Sequence, residues 1–371
     1  MRIAINCRSF LKKQYAGIGR YAFNLVKSLS ELDSKNEYWL YVQKKYFDFK
    51  RQTPRVNARN FEVKIDWMGR GIASALKSVD IYHSPSPDFI HIEEPKIIVT
   101  VHDLVYKTYP EGHTQQARDT TDEQLKRIVE QAHKIICCSN NTVQDLCKYF
   151  PVDRKKVTLV YQGVDKEIFY PLNPTEGKAA KKILERKGVK GPFILFVGTI
   201  EPRKNLQNLL LALSELKGKI NYQGKLVVVG MKGWMIEGLE QVIKNLSLQD
   251  DVIFPGYVTD DELRYFYNLS DAFVFPSFYE GFGFPIVEAF SCGAAVITSN
   301  VSSCPEIAGD SALLINPYNP EDIANAMAKV VGDKLLKECL QQKGLKRAKD
   351  FSFRKTAEET LAVYKEVYGK N

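Results

Sequence analysis

Histidine, methionine and tryptophan are scarce in this chain, at five, five and three residues of 371. The histidines show no metal-ligand spacing, and no Asp-x-Asp pair occurs, so neither a zinc site nor a manganese site is expected. Cysteine is thinly scattered as Cys7, Cys137, Cys138, Cys147, Cys292, Cys304 and Cys339, with no Cys-x-x-Cys pair. An odd, dispersed set reads as buried free thiols, which favours a reducing cytoplasm. No apolar run approaches the roughly 20 residues needed to cross a bilayer. The opening residues, Met1 to Asn6, read as a strand and not as a signal peptide. No nucleic-acid motif or aromatic-basic repeat is present, so a nucleic-acid partner is not expected.

The length exceeds what one core normally serves, so two domains are expected. The net charge of +8 is uneven. Residues 1–165 hold 26 Lys and Arg against 19 Asp and Glu, whereas 166–371 hold 26 against 25. The first half therefore suits an anionic partner, such as acidic lipid head groups or a lipid-diphosphate acceptor. That would place the chain on the inner face of a membrane; a merely solvated basic surface is the other reading.

Alternation of strands and helices runs through both halves. Arg2 to Asn6 is a strand, then Gly17 and Gly19 lead into an amphipathic helix to Leu32. Further strands are read at Tyr38–Val42, Asp80–Pro85 and Ile97–Asp103, the last ending in His102 and Asp103. His83 has a similar placement. Ligands of open α/β sheets gather at strand carboxyl ends, which makes such polar residues candidates. A helix over Thr114–Ala132, a strand at Lys134–Ser139, a helix capped by Ser139 and a strand at Val157–Tyr161 complete this half. Gly163 to Pro174 reads as an exit linker. The second half opens with strand Phe193–Gly198, then Thr199-Ile-Glu-Pro-Arg203-Lys204 and a helix to about Leu216. Arg offers a planar fork to phosphate oxygens and Lys a point charge. Later come strand Lys225–Gly230, Gly256-Tyr257-Val258, a helix capped by Thr259, a strand at Leu313–Pro317, and a last helix capped by Ser352.

The densest signal lies between Asp271 and Asn300. A short apolar strand, Ala272–Phe275, is followed by a loop with Glu280, Gly281 and Gly283. Pro285 stands where a helix would begin and Gly293 where it would stop. Glycine lets a ligand approach the backbone, and the helix start offers N–H groups to a phosphate. Glu280 and Glu288 could each accept hydrogen bonds from the vicinal hydroxyls of a sugar, one the transferred hexose and the other a ribose.

This stretch resembles the signature of retaining glycosyltransferases with the GT-B fold, the large family that includes bacterial mannosyl- and glucosyltransferases of polysaccharide synthesis. There too the paired glutamates are separated by seven residues. The resemblance implies an α/β fold of two Rossmann-like domains facing a cleft. The expected division is 1–167 for the acceptor and 168–351 for the donor, with helix 352–371 crossing back to the first. It implies transfer of a hexose from a nucleotide diphosphate sugar to a glycan or lipid-linked hydroxyl, with retention and without metal. GDP-mannose is the first expected donor and UDP-glucose the second. By the same resemblance Arg203 and Lys204 hold the diphosphate, joined by Gly198, Thr199 and the backbone of Gly281, Phe282, Gly283, Phe284, Pro285, Ile286 and Val287. Glu280 positions the hexose, Glu288 the ribose, and Tyr257 and Val258 border the base. Gly17 and Gly19 form the N-terminal glycine loop, and His102 lies near the transferred sugar. Where some members carry an arginine after the glycine, this chain has Thr199. With no evident covalent nucleophile, front-face transfer is expected. The alternatives are an epimerase or hydrolase of sugar nucleotides, which would turn over donor without acceptor, and a non-catalytic sugar-nucleotide sensor.

Overall fold

The computed structural model describes residues 1–10, 17–44, 56–67, 78–87, 95–231 and 238–369. Residues 11–16, just ahead of Gly17, lie outside them. The chain divides into two compact units: Met1–Gly163 with Ser352–Asn371, and Val164–Phe351. The division falls slightly ahead of the boundary expected at 167.

In the first unit the described strands are β1 (Arg2–Asn6), β2 (Glu37–Lys44), β3 (Phe61–Trp67), β4 (Ile81–Ser84), β5 (Lys96–Val101), β6 (Lys134–Cys137) and β7 (Val157–Leu159). They form one parallel sheet in the order β3-β2-β1-β4-β5-β6-β7. Sheet order reverses between β1 and β4, where Ile5 stands opposite His83. Strands buried on both faces explain the continuous apolar runs of β5 and β6. Val99, Val101 and Ile135 pack against Leu125, Ile128 and Leu146 of the covering helices. Those helices, Gln115–Gln131 and Asn140–Tyr149, start where expected: Thr114 and Ser139 accept hydrogen bonds from the N–H groups of Ala117 and Thr142. Strand β3 went unpredicted.

The closing helix, Phe353–Gly369, belongs to this first unit. Its Tyr364 hydroxyl lies 2.6 Å from His83 Nδ1, while His83 Nε2 lies 2.9 Å from Thr100 Oγ1. Thr356 Oγ1 donates to the carbonyl of Tyr161 at 2.8 Å, and Lys134 Nζ pairs with Glu366 at 2.9 Å. A Cβ on Gly163 would stand 2.1 Å from the Phe353 nitrogen, so only glycine admits this approach. His83, expected only as a strand-end candidate, is thus a buried tie between β4 and the closing helix.

The second unit has β8 (Phe193–Val197), β9 (Lys225–Val229), β10 (Val252–Ile253), β11 (Ala272–Phe275), β12 (Val296–Ser299) and β13 (Ala312–Ile315). They form a parallel sheet in the order β10-β9-β8-β11-β12-β13. Leu209, Leu213 and Leu216 of helix Leu206–Ile220 and Met327 of helix Pro320–Gly332 pack on Val228, Val274 and Ile297. Strand β12 starts at Val296, later than the expected Ala294. The Ala294 N–H is spent on the Ala289 carbonyl at 3.0 Å, closing the preceding helix beyond Gly293. Helix Pro174–Arg186 replaces the end of the expected linker; Asn173 and Glu176 form a reciprocal capping box at its start. Five cysteines are buried as expected, but Cys147 and Cys339 are exposed on helices. No described helix is long and apolar enough to cross a membrane.

Candidate functional site

In the second unit sheet order reverses between β8 and β11, and the loops leaving these neighbours carry the chemistry. In open parallel sheets this crevice is where ligands bind. The loop after β8 makes one 3-10 turn at Pro202–Lys204, and Asn205, in the left-handed region at φ 60°, starts the next helix. The Asn205 side chain donates to the carbonyls of Pro276 at 2.9 Å and Pro317 at 2.7 Å. That anchors the loop after β8 to those after β11 and β13.

Arg203, Lys204 and Glu280 meet there. Lys204 Nζ lies 2.6 Å from Glu280 Oε1, and Arg203 Nη1 lies 3.0 Å from Glu280 Oε2. Arg203 also donates to the Tyr279 carbonyl at 2.8 Å and to Glu201 at 2.5 Å. Lys204, Glu201 and Glu280 are all buried. Burial works to raise the Glu280 carboxyl pKa, but the charges of Arg203 and Lys204 outweigh it and hold the group below the usual range. Burial lowers the Lys204 pKa, against the opposing pull of Glu280. The cluster thus holds two cations and two acids at balanced charge. The cations expected on a diphosphate grip the expected sugar-binding carboxylate.

The backbone of the Glu280 loop is pinned from the far side. The Glu280 N–H donates to Ser302 Oγ at 3.0 Å. Ser303 Oγ donates to the carbonyls of Glu280 and Phe282 at 2.9 and 3.0 Å. Gly283, at φ 98°, opens helix Phe284–Ser291 from a conformation that other residues rarely adopt. Two of the expected backbone donors are not available: Pro285 has no N–H, and that of Ile286 goes to the Gly283 carbonyl at 3.0 Å. Gly281, Phe282, Ile286 and Val287 are buried, and Phe282 packs edge-on against Phe284 and Phe351. Glu288 is buried one turn into the helix and accepts from the Tyr267 hydroxyl at 3.0 Å.

Gly198 and Thr199 follow β8 directly, and the Gly198 N–H donates to the Val229 carbonyl at 2.9 Å. Tyr257 follows β10 with 66% of its surface exposed, but its carbonyl is taken by Lys187 Nζ at 2.9 Å. Val258, beside it, is half-buried.

In the first unit Gly17 and Gly19 stand in the first turn of helix Gly17–Leu32, and not in a loop ahead of it. Tyr21 of that helix meets the His102 ring edge-on, with centroids 5.0 Å apart. His102 Nε2 lies 2.7 Å from the Pro85 carbonyl and Nδ1 2.7 Å from Gln162 Nε2. The carbonyl requires a proton on Nε2, which leaves Nδ1 to accept from Gln162. Burial lowers the His102 pKa, so the ring is neutral. With both ring nitrogens engaged, His102 has only its carbon edges left for a ligand.

Glu201, Tyr267, Ser302, Ser303 and Gln162 escaped the sequence reading. Ser302, Ser303 and Gln162 lie just beyond β12 and β7, so the strand-end rule that raised His102 could have found them. Glu201 lies in the same loop, two residues before Arg203, and no local pattern marks it as the partner of that cation. Among the described residues no group of three or more His, Cys, Asp and Glu side chains could hold a metal ion.

Comparisons with known proteins agree with this architecture. Residues 178–347 match the family model of the glycosyl transferases group 1, and residues 15–168 that of glycosyltransferase family 4. O-antigen chain mannosyltransferase B of Escherichia coli is 30% identical, covering 96% of this chain and 97% of its own. Among solved structures, the sucrose-phosphate synthase of Thermosynechococcus elongatus superposes with a TM-score of 0.79 at 20% identity, over the whole of both chains. HepE of Anabaena, in complex with UDP-glucose, superposes with a TM-score of 0.76 at 17% identity, over 99% of this chain and 100% of its own. Two parallel-sheet, Rossmann-like units and a full-length match at this identity make the chain a GT-B protein of the group 1 glycosyltransferase family.

Proposed function

We propose that this glycosyltransferase moves a hexose from a nucleotide diphosphate sugar to a glycan or lipid-linked hydroxyl, with retention, in the synthesis of a surface polysaccharide. The observation that carries the reading is the Arg203–Lys204–Glu280 cluster at the β8/β11 reversal. Cleavage of the sugar–phosphate bond puts positive charge on the ring and negative charge on the leaving diphosphate. Fixed cations at the point where that charge develops lower the barrier. Arg203 and Lys204 fill this role once the diphosphate draws them from Glu280, and the freed carboxylate accepts from hydroxyls of the hexose. Glu288 takes the ribose. The cations serve the diphosphate without a metal. GDP-mannose is the first donor proposed, supported by the full-length mannosyltransferase relative; UDP-glucose is the second.

Front-face transfer, with the leaving phosphate taking the acceptor proton, fits the absence of an activated nucleophile among the described residues beside Glu280. Cys304 is near, but burial and the Glu280 charge push its thiol up to about 12. Peripheral contact of the basic first half with anionic lipid would bring a lipid-linked acceptor within reach.

The test is thermal stabilisation by GDP, UDP and ADP, followed by donor turnover with and without acceptor. Stabilisation by one nucleotide, and its loss in the Arg203→Ala/Lys204→Ala double variant, is expected. Undiminished donor binding in that variant overturns the reading.

A further inference from the structure

Outside the charged cluster, Phe278 and Tyr318 form a stacked pair with centroids 4.8 Å apart and planes 24° from parallel. Phe278 follows β11, and its N–H donates to the Arg203 carbonyl at 2.9 Å. Tyr318 follows β13 and is 66% exposed. The exposed Tyr318 ring offers a ligand apolar surface that the fold leaves uncovered.

The ring is also held in place. The carbonyl of Pro317 accepts from the side-chain amides of Asn205 at 2.7 Å and Asn208 at 2.9 Å. The Tyr318 N–H donates to Asn316 Oδ1 at 3.0 Å, and the Asn316 N–H donates to Asp322 at 2.7 Å. A surface ring fixed in this way loses little freedom when a ligand settles on it.

Topology places this pair apart from Tyr257, the other exposed tyrosine among the described residues of the second unit. In the sheet order β10-β9-β8-β11-β12-β13, Tyr257 follows one edge strand and Tyr318 the other. Arg203, Lys204 and Glu280 lie between them, on the loops after β8 and β11. With the base on the β10 side and the diphosphate at the centre, the β13 side is left for whatever receives the sugar.

We infer that Phe278 and Tyr318 form an acceptor subsite, a stacking platform for a hexopyranose ring of the receiving glycan. This rests on the glycosyl-transfer reading above. One face of a pyranose presents several C–H bonds of slightly positive charge, which meet the negative face of an aromatic ring. The hydroxyls at the rim stay in water. The platform sits one hydrogen bond from the Arg203 backbone, which is where a growing glycan end must lie to meet the donor sugar.

The experiment is saturation-transfer NMR on the full chain with saturating GDP or UDP, using methyl mannobioside and maltose as probes. Transfer to the axial ring protons of at least one disaccharide is expected from the wild-type chain. Tyr318→Ala should weaken that disaccharide about tenfold, while Tyr318→Phe and Tyr318→Trp keep its affinity. The thermal shift given by the nucleotide should stay the same in all of them. The platform is overturned by no transfer to either disaccharide, by transfer unchanged in Tyr318→Ala, or by a matching loss of nucleotide binding in that variant. If no nucleotide binds the wild-type chain, it is the transferase reading that fails, whatever the disaccharides do.

Discussion

Glu280 is the residue on which the site's electrostatics turn, because it pairs with both cations, the half-buried Arg203 and the buried Lys204. Glu280→Gln removes the charge but keeps the shape. Leaving buried charge uncompensated costs roughly 3–5 kcal/mol. The variant should therefore melt at lower temperature, and GDP or UDP should stabilise it more than the wild-type chain, since the diphosphate then supplies the missing negative charge. Paired melting curves check both halves of this expectation; an unchanged nucleotide shift would show that the cations do not answer to the diphosphate. Donor turnover should fall by about 10²–10³-fold, the scale for loss of one preorganised polar contact. Glu280, Arg203 and Lys204 were legible in the sequence because glycine, proline and adjacent cations surround them at strand ends. Their mutual ion pairs were not legible. They depend on β8 and β11 being neighbours, and no local pattern encodes the pairing of strands so far apart in the chain.

Among the elements, the closing helix makes the sharpest claim. Its position was expected only from family resemblance, whereas its start was readable from Ser352, which accepts from the Lys355 N–H at 3.2 Å. What holds it in place, the Tyr364–His83–Thr100 chain, joins three distant segments and was out of reach of a local pattern. Burial lowers the His83 pKa to about 3. The unfolded chain, with an ordinary value near 6.5, binds more protons between those limits, so stability rises with pH across that window. The contribution is complete above about pH 6.5 and is lost as pH falls toward 3; His102, also lowered by burial, adds the same sign. His83→Gln should flatten the dependence of denaturant stability on pH between about 4 and 6.5. A curve as steep as that of the wild-type chain would assign the slope to other groups. Gly163→Ala should loosen the same helix at every pH, because its Cβ meets the backbone of Phe353. Strand β3, helix Pro174–Arg186 and helix Lys334–Arg347 were missed for a simpler reason. Helix Lys334–Arg347 offers little apolar periodicity and buries only Leu340 and Gly344, while Pro174–Arg186 is amphipathic but poor in large apolar residues, burying only Ala180 and Leu184. Strand β3 instead alternates apolar and polar side chains, the pattern of a half-buried strand, and is legible from that alternation.

At the scale of the whole molecule, the first unit is built from both ends of the chain, while the second is one continuous stretch. The first unit therefore cannot complete its packing until the last residues are in place, whereas the second needs nothing beyond Phe351. Thr356 and Tyr364 of the closing helix are buried, and Tyr364 covers the fully buried His83, so removal of the helix opens the first unit at that point. The ion pairs and side-chain hydrogen bonds of Arg203, Lys204 and Glu280, by contrast, run between Glu201 and Ser303. A chain ending at Phe351 should thus lose the cooperative melting of its first unit yet still be stabilised by the nucleotide that binds the full chain. Hydrogen exchange resolves the two: protection should vanish from β4 and β5 and persist in β8 and β11. Loss of protection in all four strands, or of nucleotide binding, would show that the second unit depends on the first for its folding, and the donor site could not then be assigned to one unit alone.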